Sequence, residues 1–248
     1  MVFDGEELLE FAIKSIRNVV DHVSVTYQSV SYFGNKASEE LFVLLDRLKK
    51  EKLIDELIHY DTDLSIHHKI NELNLRNIGL EASKKAGCTH HISSDVDEFY
   101  IAEELEFVKK MMSEEEYDFS MAPYLTYYKH PTYLIQPNID SLITLIHPVG
   151  NNYEFIKNYP FKIETTRRLK KHDHYKVFSN KEINIHHMSY VRKDIRKKLE
   201  NSDNGRFFKI DKFVVDFDKY KLGDRLCVLP DYLNRKTIEV PNIFNIDL

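Results

Sequence analysis

The first hundred residues alternate between two hydrophobic periods. Leu8, Leu9, Ala12, Ile13, Ile16, Val19 and Val20 recur at the spacing of one helix face, with Glu6 and Glu7 in the first turn, where the helix dipole favours acids. His22–Gln28, HVSVTYQ, is short and rich in β-branched residues and predicts a strand. Ser38 predicts the N-cap of a helix running to about Lys52, with Leu41, Leu44, Leu45 and Leu48 turned inward. LIDELIHY (53–60) is read as the next strand. A further helix is expected over about Ile70–Ala86, closed by Gly87 where a glycine commonly ends a helix, and THHIS then gives a third strand ending at Asp95. Such alternation implies a mostly parallel sheet flanked by helices, with ligands held beyond the carboxyl ends of its strands. An α/β half of this kind opens with a strand, yet only Met1–Phe3 precedes the first helix. Either that strand is very short or another segment fills its place.

From about Tyr117 the pattern changes. FSMAPYLTYY, TYLIQ, SLITLIHPV, FKIETTRRL and INIHHMSYV read as strands or extended pieces separated by Pro, Asn and Gly. A basic helix is expected over about Arg192–Asn201, and TIEVPNIFNI looks like a terminal strand or an extended tail. No repeat or low-complexity linker intervenes. The expectation is one α/β domain over residues 1–248, with 1–100 as the regular half and 101–248 as the more irregular one.

Composition narrows the classes. At 248 residues and 42% hydrophobic content the chain can bury one substantial core. A net charge of −5 offers no general basic field for nucleic acid. Local basic clusters at Lys49–Lys50, Arg167–Lys171 and Arg192–Lys198 read first as solvated helix faces and second as sites for an anionic ligand. Cys88 and Cys227, without CxxC spacing, suggest a reducing compartment and neither a disulfide scaffold nor a zinc site. No run approaches the ~18–20 apolar residues of a membrane span, and no signal-peptide pattern opens the chain. A cytoplasmic chain is expected, with peripheral membrane contact left open.

The densest chemistry is CTHHISSDVDEFY, residues 88–100. Asp95 and Asp97, one residue apart at a strand end, offer hard oxygen ligands to Mg²⁺ or Mn²⁺. The alternative makes one of them the N-cap of a helix beginning in EFYIAEEL. Adjacent pairs His67–His68 and His90–His91 are read as ordinary, since neighbouring side chains diverge on extended backbone. The chain contains no GxSxG, Walker lysine loop or GxGxxG, which removes the usual hydrolase and P-loop readings.

Cys88–Tyr100 resembles the metal-binding segment of GT-A-fold glycosyltransferases, in particular family 2-like enzymes with a DxDEFY run. LRNIGLEASKKAGCTHHI (75–92) is similar to the segment that precedes it there, through Arg76, Asn77, Gly79 and Leu80, although Leu75 replaces the usual basic neighbour. The opening MVFDGEELLEFAIKSIRNVVDHVSVTYQ is similar too, with Gln28 where an acidic residue often contacts the nucleoside. HHMSYVRKDIRKKL (186–199) resembles the late run whose histidine returns to the metal, through His187, Ser189, Tyr190, Val191 and Arg192. Residues 118–180 and 205–248 carry no such likeness.

The resemblance implies a GT-A-like domain that moves a sugar from a nucleotide diphosphate-sugar, a UDP-sugar first among them, to a glycan or lipid-linked acceptor hydroxyl in bacterial surface-glycan synthesis. It implies Mn²⁺ or Mg²⁺ held by Asp97 and His187, with Asp95 at the ribose or touching the metal through water, and Arg76 and Arg192 at the phosphates. His186, one position off, would face the other way. Inverting transfer needs a general base, for which Glu164 at an expected strand end leads Glu98 and Asp140. A phosphatase of the haloacid dehalogenase type and a non-catalytic nucleotide-sugar-binding module are the alternatives.

Overall fold

A computed structural model describes residues 1–137, 141–227, 229 and 232–248. Asp140 therefore lies outside the described residues. The regular half folds as α1 (Glu6–Ile16), β1 (Ser24–Tyr27), α2 (Glu39–Lys50), β2 (Glu56–His59), α3 (His68–Lys85) and β3 (His90–Ile92). Its helix ends follow local chemistry. The Ser38 hydroxyl accepts the Leu41 N–H at the start of α2, and Gly87 stands just past α3 at φ +79°, a left-handed conformation that costs other residues about 1–2 kcal/mol. Leu9 and Ile13 of α1, Leu41, Leu45 and Leu48 of α2, and Val23 and Val25 beside them form one buried cluster.

The second half comprises β4 (Glu98–Phe99), α4 (Ala102–Glu114), β5 (Phe119–Tyr128), β6 (Tyr133–Gln136), β7 (Leu142–Thr144), β8 (Ile146–Pro148), β9 (Tyr175–Val177), β10 (Ile185–Tyr190), α5 (Ile195–Glu200), α6 (Ile210–Lys219) and β11 (Lys236–Glu239). The ten-residue β5 is the hub: it pairs with β10 and β9 in parallel and with β6 and β7 antiparallel. Val108 and Met112 of α4 pack with Ala122, Ile143 and Ile185, while Phe213, Phe217 and Tyr220 from the α6 region surround Tyr128.

The molecule is a mixed α/β domain, but the mostly parallel sheet expected from the alternation is not what forms. Among the described residues five strand pairings are antiparallel and three are parallel. The reason is β5, long enough to collect short strands of both directions along its two edges. The sheet is also interrupted. β1 pairs with β2 and β3 pairs with β8, yet β1 and β3 do not pair with each other. A cavity of about 700 Å³ lies between them.

Candidate active site

Asp95 and Asp97 sit in the turn between β3 and β4, and neither caps a helix; α4 starts later, with Ile101 at its N-cap. The turn is pinned through its backbone. Arg167 Nη1 donates to the Ser93 carbonyl at 2.9 Å, the Met188 N–H donates to the Asp97 carbonyl at 2.7 Å, and the Glu98 carboxylate accepts the Asp95 N–H at 3.0 Å. Glu98 is fully buried, takes Arg167 at 2.5 Å and accepts the Tyr124 hydroxyl. It braces the turn from behind and is closed to substrate, which removes it as a base.

Asp97 is buried, at 3% exposure. Burial alone would push its carboxyl up, but Lys198 at 3.1 Å, Arg192 at 2.6 Å and the nearby His187 hold it well below the ordinary carboxylate range. His187 Nε2 stands 3.8 Å from Asp97 Oδ1. The strand register explains the meeting: His187 lies opposite Glu98 on β4 and Thr126 on β5, and its ring stacks on Tyr124 at 4.7 Å. His186 faces the opposite side, bonded to the Tyr127 hydroxyl at 2.8 Å and packed edge-on to Phe244, and burial lowers its pKa to about 4.

Arg192 adds an observation about ligands. Its Nη2 holds Asp97, while its buried Nε and Nη1 have no partner among the described residues. Gly5 explains how it reaches this place. That residue adopts φ +85°, and a Cβ there would stand 2.4 Å from Arg192 Nη1. Only glycine leaves the guanidinium its room. A depression of about 390 Å³ opens alongside, lined in part by Asp4, Arg192, Lys197 and Lys198.

Asp95 belongs to a different network. Arg167 reaches it at 2.8 Å and Arg76 at 3.4 Å, and these two cations outweigh its burial, so its carboxyl also stays well below the usual range. The Arg76 side chain is closed to solvent and spends itself on Glu72 at 2.9 Å, on Asp95 and on Glu164 at 3.4 Å. It orders carboxylates rather than projecting into open space.

Glu164 completes that network. It is not at a strand end as expected: it precedes a 3₁₀ turn over Thr165–Arg167, because the buried Thr166 hydroxyl donates to Glu72 at 2.7 Å and Arg167 must turn inward to Asp95 and Glu98. Its carboxylate contacts Lys69 at 3.1 Å, Arg167 at 3.3 Å and Arg76, yet stays 30% exposed. Burial and the neighbouring Glu72 raise its pKa, whereas Glu72, facing Arg76 and Lys69, falls to about 2. Two adjacent carboxyls driven apart in this way leave one poised to exchange a proton.

The sequence reading missed Arg167, Lys198 and Lys69. Arg167 and Lys198 were visible only as members of basic runs, and nothing local marked them as turned inward. Lys69 carried no signal.

No three His, Cys, Asp or Glu side chains form a self-sufficient metal cluster among the described residues. Asp97 and His187 nonetheless fit a shared divalent ion. With each bond about 2.0–2.2 Å, their donor atoms would stand roughly 3–4.3 Å apart, and they are 3.8 Å apart. Ions such as Mg²⁺ commonly take one or two protein ligands and complete their shell from substrate phosphates and water.

No protein-family model matches the chain, and no characterised protein matches it significantly. No helix among the described residues is long and apolar enough to cross a membrane.

Proposed function

We propose that the chain is a metal-dependent glycosyltransferase, moving a sugar from a nucleotide diphosphate-sugar, most simply a UDP-sugar, to a hydroxyl of a glycan or lipid-linked acceptor. One observation carries the reading: Asp97 and His187, ninety residues apart in sequence, meet at 3.8 Å beside Arg192 and Lys198, and Arg192 keeps two buried nitrogens without a partner among the described residues. A carboxylate and an imidazole next to two cations suit a diphosphate better than they suit a neutral ligand.

In this reading Asp97 and His187 hold Mn²⁺ or Mg²⁺, which when bound offsets the charge that grows on the departing diphosphate. Lys198 and Arg192 bind phosphate oxygens and orient the leaving group. Asp95, 29% exposed and fixed by Arg76 and Arg167, presents its open edge to a ribose hydroxyl. Arg76 acts on the nucleotide through Asp95. Glu164 takes the acceptor hydroxyl's proton, a role that suits its exposure and raised pKa.

The test is a panel of nucleotide-sugars with Mn²⁺, reading free nucleoside diphosphate with and without candidate acceptors. Release that depends on Mn²⁺ and is lost in Asp97→Asn supports the proposal. Orthophosphate release from simple monoesters would point to a phosphatase, and metal-independent binding without turnover to a binding module. Either result overturns the reading.

A further inference from the structure

The interrupted sheet between β1 and β3 has the form of a vacant strand position. β1 bonds β2 through alternate residues: the Val23 carbonyl accepts from Asp55 and Glu56, and the Tyr27 carbonyl accepts from Tyr60. The alternation of a strand turns the N–H and C=O of Ser24 and Thr26 the other way, into the 700 Å³ cavity. β3 repeats the arrangement. The Thr89 carbonyl accepts the Val149 N–H on the β8 side, so the backbone groups of His90, Ile92 and Ser94 face the cavity. Two strand edges thus point their ladder groups at one another across a gap walled by Leu9, Ala12 and Ile13 of α1 and by Gly79 of α3. At Gly79 an added Cβ would lie 3.8 Å from His91 and 4.0 Å from Thr26, ordinary contact distances that place α3 over both edges.

The end of this gap is already occupied in strand fashion. The Val2 N–H donates to the Thr26 carbonyl at 2.9 Å, the Gln28 N–H donates to the Val2 carbonyl, and Val2 bridges Tyr27 in parallel. On the other side the Met1 nitrogen donates to the Ser94 carbonyl at 2.8 Å. Met1 and Val2 therefore make the last rung of a strand that bonds both edges at once. The Met1 amine is buried there, and burial lowers its pKa. A peptide N–H would make the same bond to Ser94 without placing a charge in the interior.

We propose that the cavity is a strand-acceptor groove, filled by an extended, mainly apolar segment of about four residues joined to the Met1 nitrogen and lying parallel to β1. At about 3.3 Å per residue such a segment runs from Met1 back alongside Thr26 to Val23. It satisfies the facing backbone of Ser24, His90 and Ile92 together with the Thr26 N–H, and joins β2, β1, β3 and β8 into one sheet. With helices on its walls the segment has no solvated face, so it is apolar at successive positions rather than alternating. This inference does not depend on the proposed chemistry of the site.

The experiment compares the chain carrying Val-Ile-Ala-Thr ahead of Met1 with chains carrying Gly-Ser-Gly-Ser or Val-Pro-Ala-Pro there, each released from a cleavable tag. Hydrogen exchange is read at the amides of Ser24, Thr26 and Ile92, together with Tm. The apolar extension is expected to slow exchange at these amides at least tenfold and to raise Tm, with neither effect in the other two. No protection by the apolar extension overturns the proposal. Equal protection by Gly-Ser-Gly-Ser overturns it too, because removing the terminal charge alone would then explain the effect. Protection only by the free apolar peptide added in trans would assign the groove to a separate partner, and it would refute the covalent source.

Discussion

Replacing Arg167 with methionine tests the electrostatic account of the site most directly. The guanidinium is 1% exposed and contacts Glu98, which is fully buried, at 2.5 Å, as well as Asp95 at 2.8 Å. Methionine keeps an apolar side chain in the space while leaving the Glu98 carboxylate without its cation. Removing one partner of a buried pair costs about 3–5 kcal/mol, chiefly because the surviving charge stays desolvated. That is a large part of the ~5–15 kcal/mol by which domains are stable, and at this size it corresponds to a Tm lower by roughly 6–20 °C. The double variant Arg167→Met/Glu98→Gln removes the stranded charge while the amide oxygen can still accept the Asp95 N–H. It is expected to recover at least half of the loss in urea unfolding at pH 7. The pH dependence has a definite sign. Asp95 has its pKa lowered by Arg76 and Arg167 against burial, so its stabilising contribution is present above the unfolded pKa near ~3.9 and fades as pH falls through the depressed folded value. Arg167→Met weakens that depression, so the gap to the parent is widest at neutral pH and narrows below about pH 4. A single variant within 1 kcal/mol of the parent, or a double variant no better than the single, would refute the reasoning.

Three further outcomes are expected. His187→Ala should weaken Mn²⁺ binding and turnover together, while His186→Ala, on the opposite face beside Tyr127 and Phe244, should leave Mn²⁺ affinity unchanged by calorimetry; the reverse pattern would put the ligand on the wrong residue. Lys198→Ala should weaken nucleoside diphosphate binding by about ten- to a hundredfold, the value of a charged hydrogen bond, and an unchanged Kd would remove Lys198 from the phosphate site. Because a base must be deprotonated and the Glu164 pKa is raised, activity should fall on acidification at a pH above the ordinary glutamate value near ~4.3, and Glu164→Gln should abolish the rate together with that limb; an unaltered profile in the variant would exclude the role.

Much of the regular half was legible because its signals are local. Ser38 caps α2 through its own hydroxyl, Gly87 takes the conformation that only glycine accepts cheaply, and the two-residue period of β10 separates His186 from His187 without reference to any distant residue. The candidate site was legible only where it is compact in sequence. Arg167 bonds carboxylates 69 and 72 positions away, and no local pattern distinguishes it from the exposed cations Lys170 and Lys171 of the same RRLKK run. Glu164 was misplaced for the same reason: FKIETTRRL has strand composition, but the Thr166–Glu72 bond and the inward turn of Arg167 override it. The direction of the strand pairings was hidden as well, because it depends on which short segments find the edges of β5.

The two aspartates, one residue apart, end in different electrical surroundings. Asp95 lies in a network with the carboxylates of Glu72, Glu98 and Glu164, answered by Arg76, Arg167 and Lys69. Asp97 is held directly by Arg192 and Lys198, with Asp4 as a further carboxyl near the same two cations. A slip of the turn by two residues would carry Asp97 into the first network and leave Arg192 and Lys198 facing Phe99. Such a slip strands buried charge, so the surrounding ions hold the register of the turn between β3 and β4 alongside its backbone bonds.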